Sequence, residues 1–220
     1  MKKLISHLAV LLFFVSCNGQ EKKGKNDSTI ISNPKELKTF YDNGKVHEIQ
    51  YLDENEKVTK WERYYEKNGK IGLRYEIRDG KFEGMAEEFY ENGKLKFTGR
   101  HKNDIRDGEW KTYFEDGQLE DVLNYKDGEK NGDYKSYRNG QLVSIGKYEK
   151  GKEVGEWRGY YENKALERIV NYKNGELTGA AKYYYENGKI REEGNFENYN
   201  RTGEWNTYNE QGKLVKTEKY

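Results

Sequence analysis

The sequence predicts an all-β protein, an elongated antiparallel meander of about eight stacked β-hairpin repeats of 24 residues. An aromatic residue recurs at steps of 23 to 25 residues from Phe40 to Tyr208, and a turn dipeptide, usually Asn-Gly, follows it each time. The 24 Gly and 20 Tyr among 220 residues agree with this class, because both are poor helix formers. A fixed period of this length is typical of a repeat architecture.

Residues 1–16 are predicted to be a signal peptide. Lys2 and Lys3 form a positively charged start, and the apolar stretch from Leu4 to Val15 is shorter than the roughly 20 apolar residues that a spanning helix needs. The single cysteine of the chain, Cys17, follows at once. An ordinary secretory signal with a chance cysteine and an uncleaved anchor are the two alternatives.

The residues before Cys17 resemble the lipobox of bacterial lipoproteins. In that family a small residue, here Ser16, precedes a cysteine that is lipidated and becomes the mature N-terminus. Phe14 departs from the pattern, which usually has an aliphatic residue there. The resemblance implies a lipid-anchored, extracytoplasmic protein of the bacterial cell envelope, with the membrane as a partner through the anchor. An acylated Cys17 leaves no thiol for a disulfide, a metal or a nucleophile.

Residues 17–37 are predicted to be a flexible tether from the lipidated Cys17, and residues 38–220 the repeat array. The tether is polar, has no apolar period and contains too few apolar side chains to form a core.

The net charge of the chain limits the partners that the array can bind. Forty basic and 39 acidic residues give +1, so the chain lacks the basic surface of a general nucleic-acid binder.

Each repeat is predicted to be one hairpin and one return turn. Pairs such as Asn43-Gly44 are the strongest short hairpin signal and predict a two-residue type I′ turn. A glycine further on, such as Gly84 or Gly108, is expected to mark the return turn. A lone hairpin is marginal in water, so the repeats must stack on their neighbours. The repeat aromatics are Phe40, Tyr64, Phe89, Tyr113, Tyr137, Tyr160, Tyr184 and Tyr208.

Four tryptophans recur in every second repeat, at Trp61, Trp110, Trp157 and Trp205. We interpret them as wide packing anchors along the sheet. A row of rings that stacks on a ligand is the alternative.

The pattern Gly-Glu-Trp-x-x-Tyr-Tyr/Phe-x-Asn/Asp-Gly-Lys/Gln-Leu resembles the MORN repeat in its bacterial variant form, most plainly over Gly108–Leu119. The resemblance covers about residues 40–220. Asn163-Lys164 lacks the turn glycine, and Ala86 and Ala181 replace the tryptophan. The resemblance implies an elongated hairpin array used for interaction or membrane association, with no catalytic residue.

Chains of this kind also resemble the YwqK-type antitoxins of bacteria. A lipoprotein antitoxin would meet its toxin outside the cytoplasm, so this resemblance implies immunity against an envelope-acting toxin. Repeats of one type serve unrelated functions, and the repeat pattern alone does not assign this one.

The sequence contains no pattern for a catalytic or metal site, and no cofactor is predicted. It has three histidines, of which His101 takes an aromatic position of the third repeat and is expected to be structural. No Cys pair and no His-x-x-x-His spacing occurs. Gly80–Gly84 and Gly128–Gly132 lack the Gly-Lys-Ser/Thr ending of a phosphate loop.

The leading functional hypothesis is therefore a membrane-tethered, non-catalytic module that binds a protein partner through its sheet, with an antitoxin or immunity protein as one version. The second hypothesis is binding of lipid or polysaccharide at the cell envelope through the aromatic rows. An enzyme is the third, and the sequence offers it no polar cluster. No individual binding residue is assigned at this stage.

Overall fold

The computed structural model describes residues 35–220, and within this range the chain forms seventeen β-strands and no helix. All strands belong to one antiparallel sheet in which chain neighbours pair with each other. The predicted all-β meander is thereby confirmed. The strands are β1 (Lys35–Phe40), β2 (Val46–Leu52), β3 (Val58–Tyr64), β4 (Ile71–Arg78), β5 (Lys81–Phe89), β6 (Leu95–Lys102), β7 (Ile105–Tyr113), β8 (Leu119–Lys126), β9 (Glu129–Arg138), β10 (Gln141–Glu149), β11 (Lys152–Tyr160), β12 (Leu166–Lys173), β13 (Glu176–Leu177), β14 (Gly179–Tyr184), β15 (Ile190–Glu197), β16 (Asn200–Tyr208) and β17 (Leu214–Lys219).

The seventeen strands form eight hairpins. Strands β13 and β14 both pair with β12 and together fill one strand position, so sixteen positions remain. Each hairpin begins with a strand that carries a repeat aromatic, as the 24-residue period predicts. At roughly 4.8 Å between strands, sixteen positions span about 75 Å along the sheet.

The first strand begins at Lys35, three residues before the predicted start of the array at residue 38. Lys35 pairs with Leu52, and the ladder between β1 and β2 continues to Phe40 and Val46. Residues 35–37 therefore lie in a strand rather than in the tether. Polar residues such as Lys35 and Glu36 gave no apolar pattern from which the strand could be recognised.

The turn after each repeat aromatic is not, in general, the predicted type I′ turn. In the first of these repeat turns the Tyr41 N–H donates to the Lys45 carbonyl at 2.8 Å, which encloses a three-residue loop. Gly44 has a positive φ of 79°, whereas Asn43 does not. The Asn43 side-chain oxygen accepts a hydrogen bond from the Lys45 N–H at 3.0 Å, and this Asx contact supports the loop.

Loop length explains the uneven steps of the repeat. The second repeat turn is closed by a bond from the Tyr65 N–H to the Lys70 carbonyl and has one more loop residue, which gives the step of 25. The fifth has the two-residue loop Asn139-Gly140, which gives the step of 23. Its φ values of 52° and 72° are both positive, so the type I′ prediction is right for this repeat turn.

The glycines expected to mark the return turns lie inside strands instead. Gly84 is in β5 and Gly108 in β7, with φ values of 117° and 71°. The β4–β5 register shifts opposite Gly84, between Tyr75 and Ile77, so this glycine allows a β-bulge. The return turns come a few residues earlier, at dipeptides with two positive φ values that include Asp79-Gly80, Asp127-Gly128, Lys150-Gly151 and Asn174-Gly175.

Side chains of one repeat turn bind the backbone of the next, and we call this series the turn ladder. The Tyr90 hydroxyl donates to the Tyr113 carbonyl at 2.8 Å, and Lys94 Nζ donates to the Asp116 carbonyl at 2.6 Å. Each bond runs from one hairpin to the following one, so the ladder has a direction. The hydroxyl bond recurs in the pairs Tyr41–Tyr64, Tyr65–Phe89, Tyr161–Tyr184 and Tyr185–Tyr208.

Candidate functional site

One face of the sheet, here called the tryptophan face, holds most of the apolar core. Trp61, Trp110 and Trp205 are only 7%, 3% and 1% exposed, and Trp157 is half-buried. Side chains alternate between the two faces of a strand, so the tryptophans of alternate hairpins all lie on one face. A single sheet thus buries its largest side chains without a second layer.

The burial depends on glycines in the neighbouring strands. Trp110 lies across Gly99 and Trp205 lies across Gly194. A Cβ atom at Gly99 would fall 2.2 Å from Trp110 Cδ2, and one at Gly194 would fall 2.4 Å from Trp205 Cδ2. The third such pair is Gly146 and Trp157.

The two alanines that replace tryptophan lie beside the glycines that the tryptophans cover. Ala86 pairs with Gly99, and Ala181 pairs with Gly194. Ala86 and Ala181 are 0% and 1% exposed. The alanines are therefore part of the packing rather than interruptions of it.

The edges and faces of the buried rings are also occupied. Trp110 Nε1 donates to the Arg100 carbonyl at 3.1 Å, and the Arg106 guanidinium lies 4.4 Å from the Trp110 ring centre. Arg201 lies 4.0 Å from the ring of Trp205 in the same way. The packing interpretation is confirmed for these rings. Stacking of a ligand would need exposed ring faces, which they lack.

The seven repeat aromatics of β3 to β16 lie on the opposite face, and we call them the tyrosine row. Trp110 and Tyr113 are three residues apart in one strand and therefore point to opposite faces. Each ring of the row in β3 to β16 is partly exposed. Successive rings are two strands apart, about 10 Å. The row consists of Tyr64, Phe89, Tyr113, Tyr137, Tyr160, Tyr184 and Tyr208.

Aliphatic side chains and paired charges surround the middle of the row. Strands β8, β10 and β12 place Val122, Ile145 and Ile169 on the same face, opposite Lys135, Arg158 and Lys182 respectively. Nearby charges neutralise each other, as in the ion pair of 2.9 Å between Lys111 and Glu109. This face offers rings and aliphatic groups among balanced charges.

The ends of the row differ from its middle. Tyr64 and Tyr208 donate their hydroxyls to Glu62 and Glu193, at 2.6 and 2.8 Å. Over residues 35–220, the hydroxyl of Tyr137 makes no such bond. Sequence analysis used these aromatics as repeat markers and assigned none of them to a binding surface. Their constant three-residue offset from the tryptophan position is the signal that places them on the other face.

Glu62 is the one charged residue in the described range that is classed as buried, at 2% exposure. Burial opposes its charge, but hydrogen bonds from Tyr64, Arg74 and Tyr51 outweigh this effect and lower the pKa of Glu62 to about 2. Lys60 adds an ion pair at 3.3 Å. The carboxylate is enclosed and fully bonded, so it stabilises the first hairpins rather than offering a reactive group.

His101 lies in the aromatic position predicted for it. Its ring centre is 5.1 Å from Trp110 and 5.8 Å from Phe82. Burial and the positive charge of Arg106 lower the pKa of His101 below its usual value. The side chain fills the core between β5 and β7, which agrees with a structural role.

The two best-formed clefts in the part of the chain that the structure describes are shallow. The larger of the two best-formed ones, about 170 Å³, lies between return turns and is lined by Lys102, Ile105 and Asp127, among others. Within the same part, no group of three His, Cys, Asp or Glu side chains is arranged to hold a metal ion.

Three predictions fall on residues outside the described range. Residues 1–16, Cys17 and the tether up to residue 34 precede Lys35, so the signal peptide, the lipidation and the flexible tether stay predictions. Among residues 35–220 no helix is long and apolar enough to cross a membrane.

Five segments of the chain match the family described as the MORN repeat variant, at residues 35–53, 82–103, 106–127, 153–174 and 177–198. A search of curated proteins found no significant match. The matched segments lie in the same eight-hairpin array, and each contains a turn dipeptide of the repeat. The chain is therefore a repeat protein in which five segments are similar to the MORN repeat variant.

Proposed function

We propose that this protein is a non-catalytic interaction module, tethered to the membrane of a bacterial cell envelope through lipidated Cys17, that binds a protein partner along the tyrosine row. MORN repeats suggest a repeat-based interaction module, and the family is generally non-catalytic. The observation that carries the partner surface is the contrast between Trp61, Trp110 and Trp205, which are buried, and the partly exposed tyrosines on the opposite face.

Physical chemistry favours a protein as the partner on this face. Tyrosine rings bury a large area at low entropic cost, and their hydroxyls add directed hydrogen bonds, so they are enriched in protein interfaces. Balanced charges around Tyr113 and Tyr160 give no strong attraction to anionic lipid or nucleic acid. Immunity against an envelope-acting toxin is one form of this function, and it is compatible with an extracytoplasmic anchor.

The test is capture of the partner from native membranes by the full chain. We would cross-link the tagged protein in its own membrane, isolate it, and compare the unaltered chain with the double variant Tyr137→Ala/Tyr160→Ala. Tyr199→Ala is the matched control, because Tyr199 is 59% exposed but lies at a return turn outside the row. Unfolding midpoints of all three chains would establish that each is folded.

The proposal predicts one protein at near-equal stoichiometry with the unaltered chain and with Tyr199→Ala, and at least a tenfold loss with the double variant. Equal capture by the double variant would contradict the tyrosine row as the binding surface. Recovery of glycan or lipid alone would favour the second hypothesis instead.

A further inference from the structure

Within residues 35–220, the two outer strands of the sheet are exposed and each has one unpaired edge. Every residue of β1 is exposed, with Leu37 and Phe40 at 50% and 59%. At the other end, Leu214 and Val215 of β17 are 49% and 58% exposed. Within the described range β1 pairs with β2 alone and β17 with β16 alone. Open edges with apolar side chains favour strand addition.

The register of the array specifies how the two edges fit each other. Wherever one hairpin meets the next, the residue two places after the repeat aliphatic pairs with the residue before the repeat aromatic, as Leu73 pairs with Glu88. The other junctions repeat this pairing, with partners Glu48–Arg63, Phe97–Thr112, Asp121–Ser136, Ser144–Gly159, Arg168–Tyr183 and Glu192–Thr207.

The same rule applied to the outer strands pairs Lys216 of one chain with Thr39 of another. One residue further back along β17, Val215 comes beside Phe40, so two exposed apolar side chains cover each other. At the opposite end of these strands Lys219 comes beside Glu36, since the corresponding Asn124 contacts the backbone of Asp133. Apolar contact favours this register, and Lys219 and Glu36, which pair with Glu204 and Lys38 within the chain, bring opposite charges to the junction.

The two ends of the turn ladder also complement each other, because the last repeat turn offers a donor and the first offers an acceptor. Lys70, Lys94 and Lys189 each donate to a carbonyl of the following repeat turn. Lys213 is the corresponding residue of β16 and β17, and within residues 35–220 it has no following repeat turn to bind. Asn43 lies in the first repeat turn, and within the described range no lysine of an earlier repeat turn donates to its carbonyl. A second chain placed after β17 would give Lys213 its acceptor at the Asn43 carbonyl.

We infer that the protein associates head to tail with a second copy of itself, β17 of one chain pairing antiparallel with β1 of the next. This contact is heterologous, so it extends into a continuous sheet of several chains. It uses the sheet edges and not the tyrosine row, so it goes beyond the proposed function and does not depend on it.

The test is disulfide trapping between two differently tagged full-length chains in membranes or mild detergent. One chain carries Thr39→Cys and the other Lys216→Cys, and peptide mapping by mass spectrometry identifies the bond. The matched control replaces Lys216→Cys with Thr217→Cys, whose side chain points to the other face. The unaltered chain reports any bond formed by Cys17.

We expect the mixture of Thr39→Cys and Lys216→Cys to give a 39–216 disulfide at five times or more the yield of the control mixture. Either chain alone should give no mapped bond between its introduced cysteines. Equal yields at 216 and 217, no bond at all, or a 216–216 or 39–39 bond as the main product would overturn the inference. Folding of each variant is checked by its circular dichroism spectrum.

Discussion

Gly99 lies directly beneath the indole ring of Trp110, so close that a Cβ atom there would fall 2.2 Å from Trp110 Cδ2. The glycine and the tryptophan are eleven residues apart in neighbouring strands. The same spacing separates Gly146 from Trp157 and Gly194 from Trp205, so this contact recurs along the sheet. It lets a single-layer sheet bury a large ring against backbone.

Gly99→Ala is therefore expected to destabilise the array. Gly99 has an ordinary negative φ, so the cost comes from overpacking against Trp110, about 2 kcal/mol. Gly72→Ala is the matched control, because its Cβ would meet the Tyr65 ring at 3.2 Å, a milder contact with a more adaptable side chain. Denaturant unfolding of the full chain, followed by tryptophan fluorescence, measures both. Equal midpoints for the two variants would contradict this account.

The turn ladder makes a separate prediction for tyrosine hydroxyls. Tyr90→Phe removes the 2.8 Å bond to the Tyr113 carbonyl, and its expected cost is about 1 kcal/mol of unfolding free energy. Tyr137→Phe removes a hydroxyl without such a bond and should change stability by less than about 0.5 kcal/mol. Thermal unfolding at pH 7 compares the two. A larger loss for Tyr137→Phe would refute the role of the ladder.

Glu62 gives the array a specific dependence on pH. Folding lowers the pKa of Glu62 from 4.5 to about 2, so the unfolded chain binds the proton more readily than the folded chain. The stabilisation is fully present above pH 4.5 and is lost as pH falls toward 2.

Substitution with glutamine isolates that contribution. Glu62→Gln should cost about 2 kcal/mol at pH 7, because Arg74 loses a buried partner, and the difference from the unaltered chain should shrink between pH 4.5 and 2. Unfolding midpoints across this pH range provide the measurement. A constant difference would show that Glu62 does not titrate with the low pKa assigned to it.

Cys17→Ser tests the proposed anchor. Removing the sulfur prevents acylation, so the protein should move from the membrane to the soluble fraction, whereas Ser28→Ala should stay membrane-bound. Fractionation and intact-mass measurement of both chains provide the readout. Retention of Cys17→Ser on the membrane would make the lipoprotein interpretation wrong.

The sequence predicted the sheet because its signals are local and repeated eight times. The spacings of 25 and 23 residues between repeat aromatics already indicated a longer loop at Asn68 and a shorter loop at Asn139. In the first repeat turn the type I′ prediction was wrong, because Asp42 belongs to the loop and makes it three residues long. The Asn43 side chain then accepts a hydrogen bond from the Lys45 N–H, and Asn43 does not take a positive φ. Dipeptides alone do not reveal where a strand ends.

The functional surface was harder to predict, because it depends on which rings are covered. Trp110 is the more conspicuous residue, yet Gly99 and Arg106 bury it, while the ordinary Tyr113 stays accessible. The eleven-residue spacing from glycine to tryptophan was a usable signal for burial. Nothing comparable in the sequence identifies the partner of the tyrosine row.

Oxidative footprinting of the full-length protein tests most directly that one face of the sheet packs and the other binds. Mass spectrometry reads the modification residue by residue. Indole rings are intrinsically reactive, so burial alone should protect Trp110 and Trp205. We expect slow modification of these two rings and at least fivefold faster modification of Tyr137 and Tyr160. Faster modification of the tryptophans would contradict the assignment of one face to packing and the other to binding.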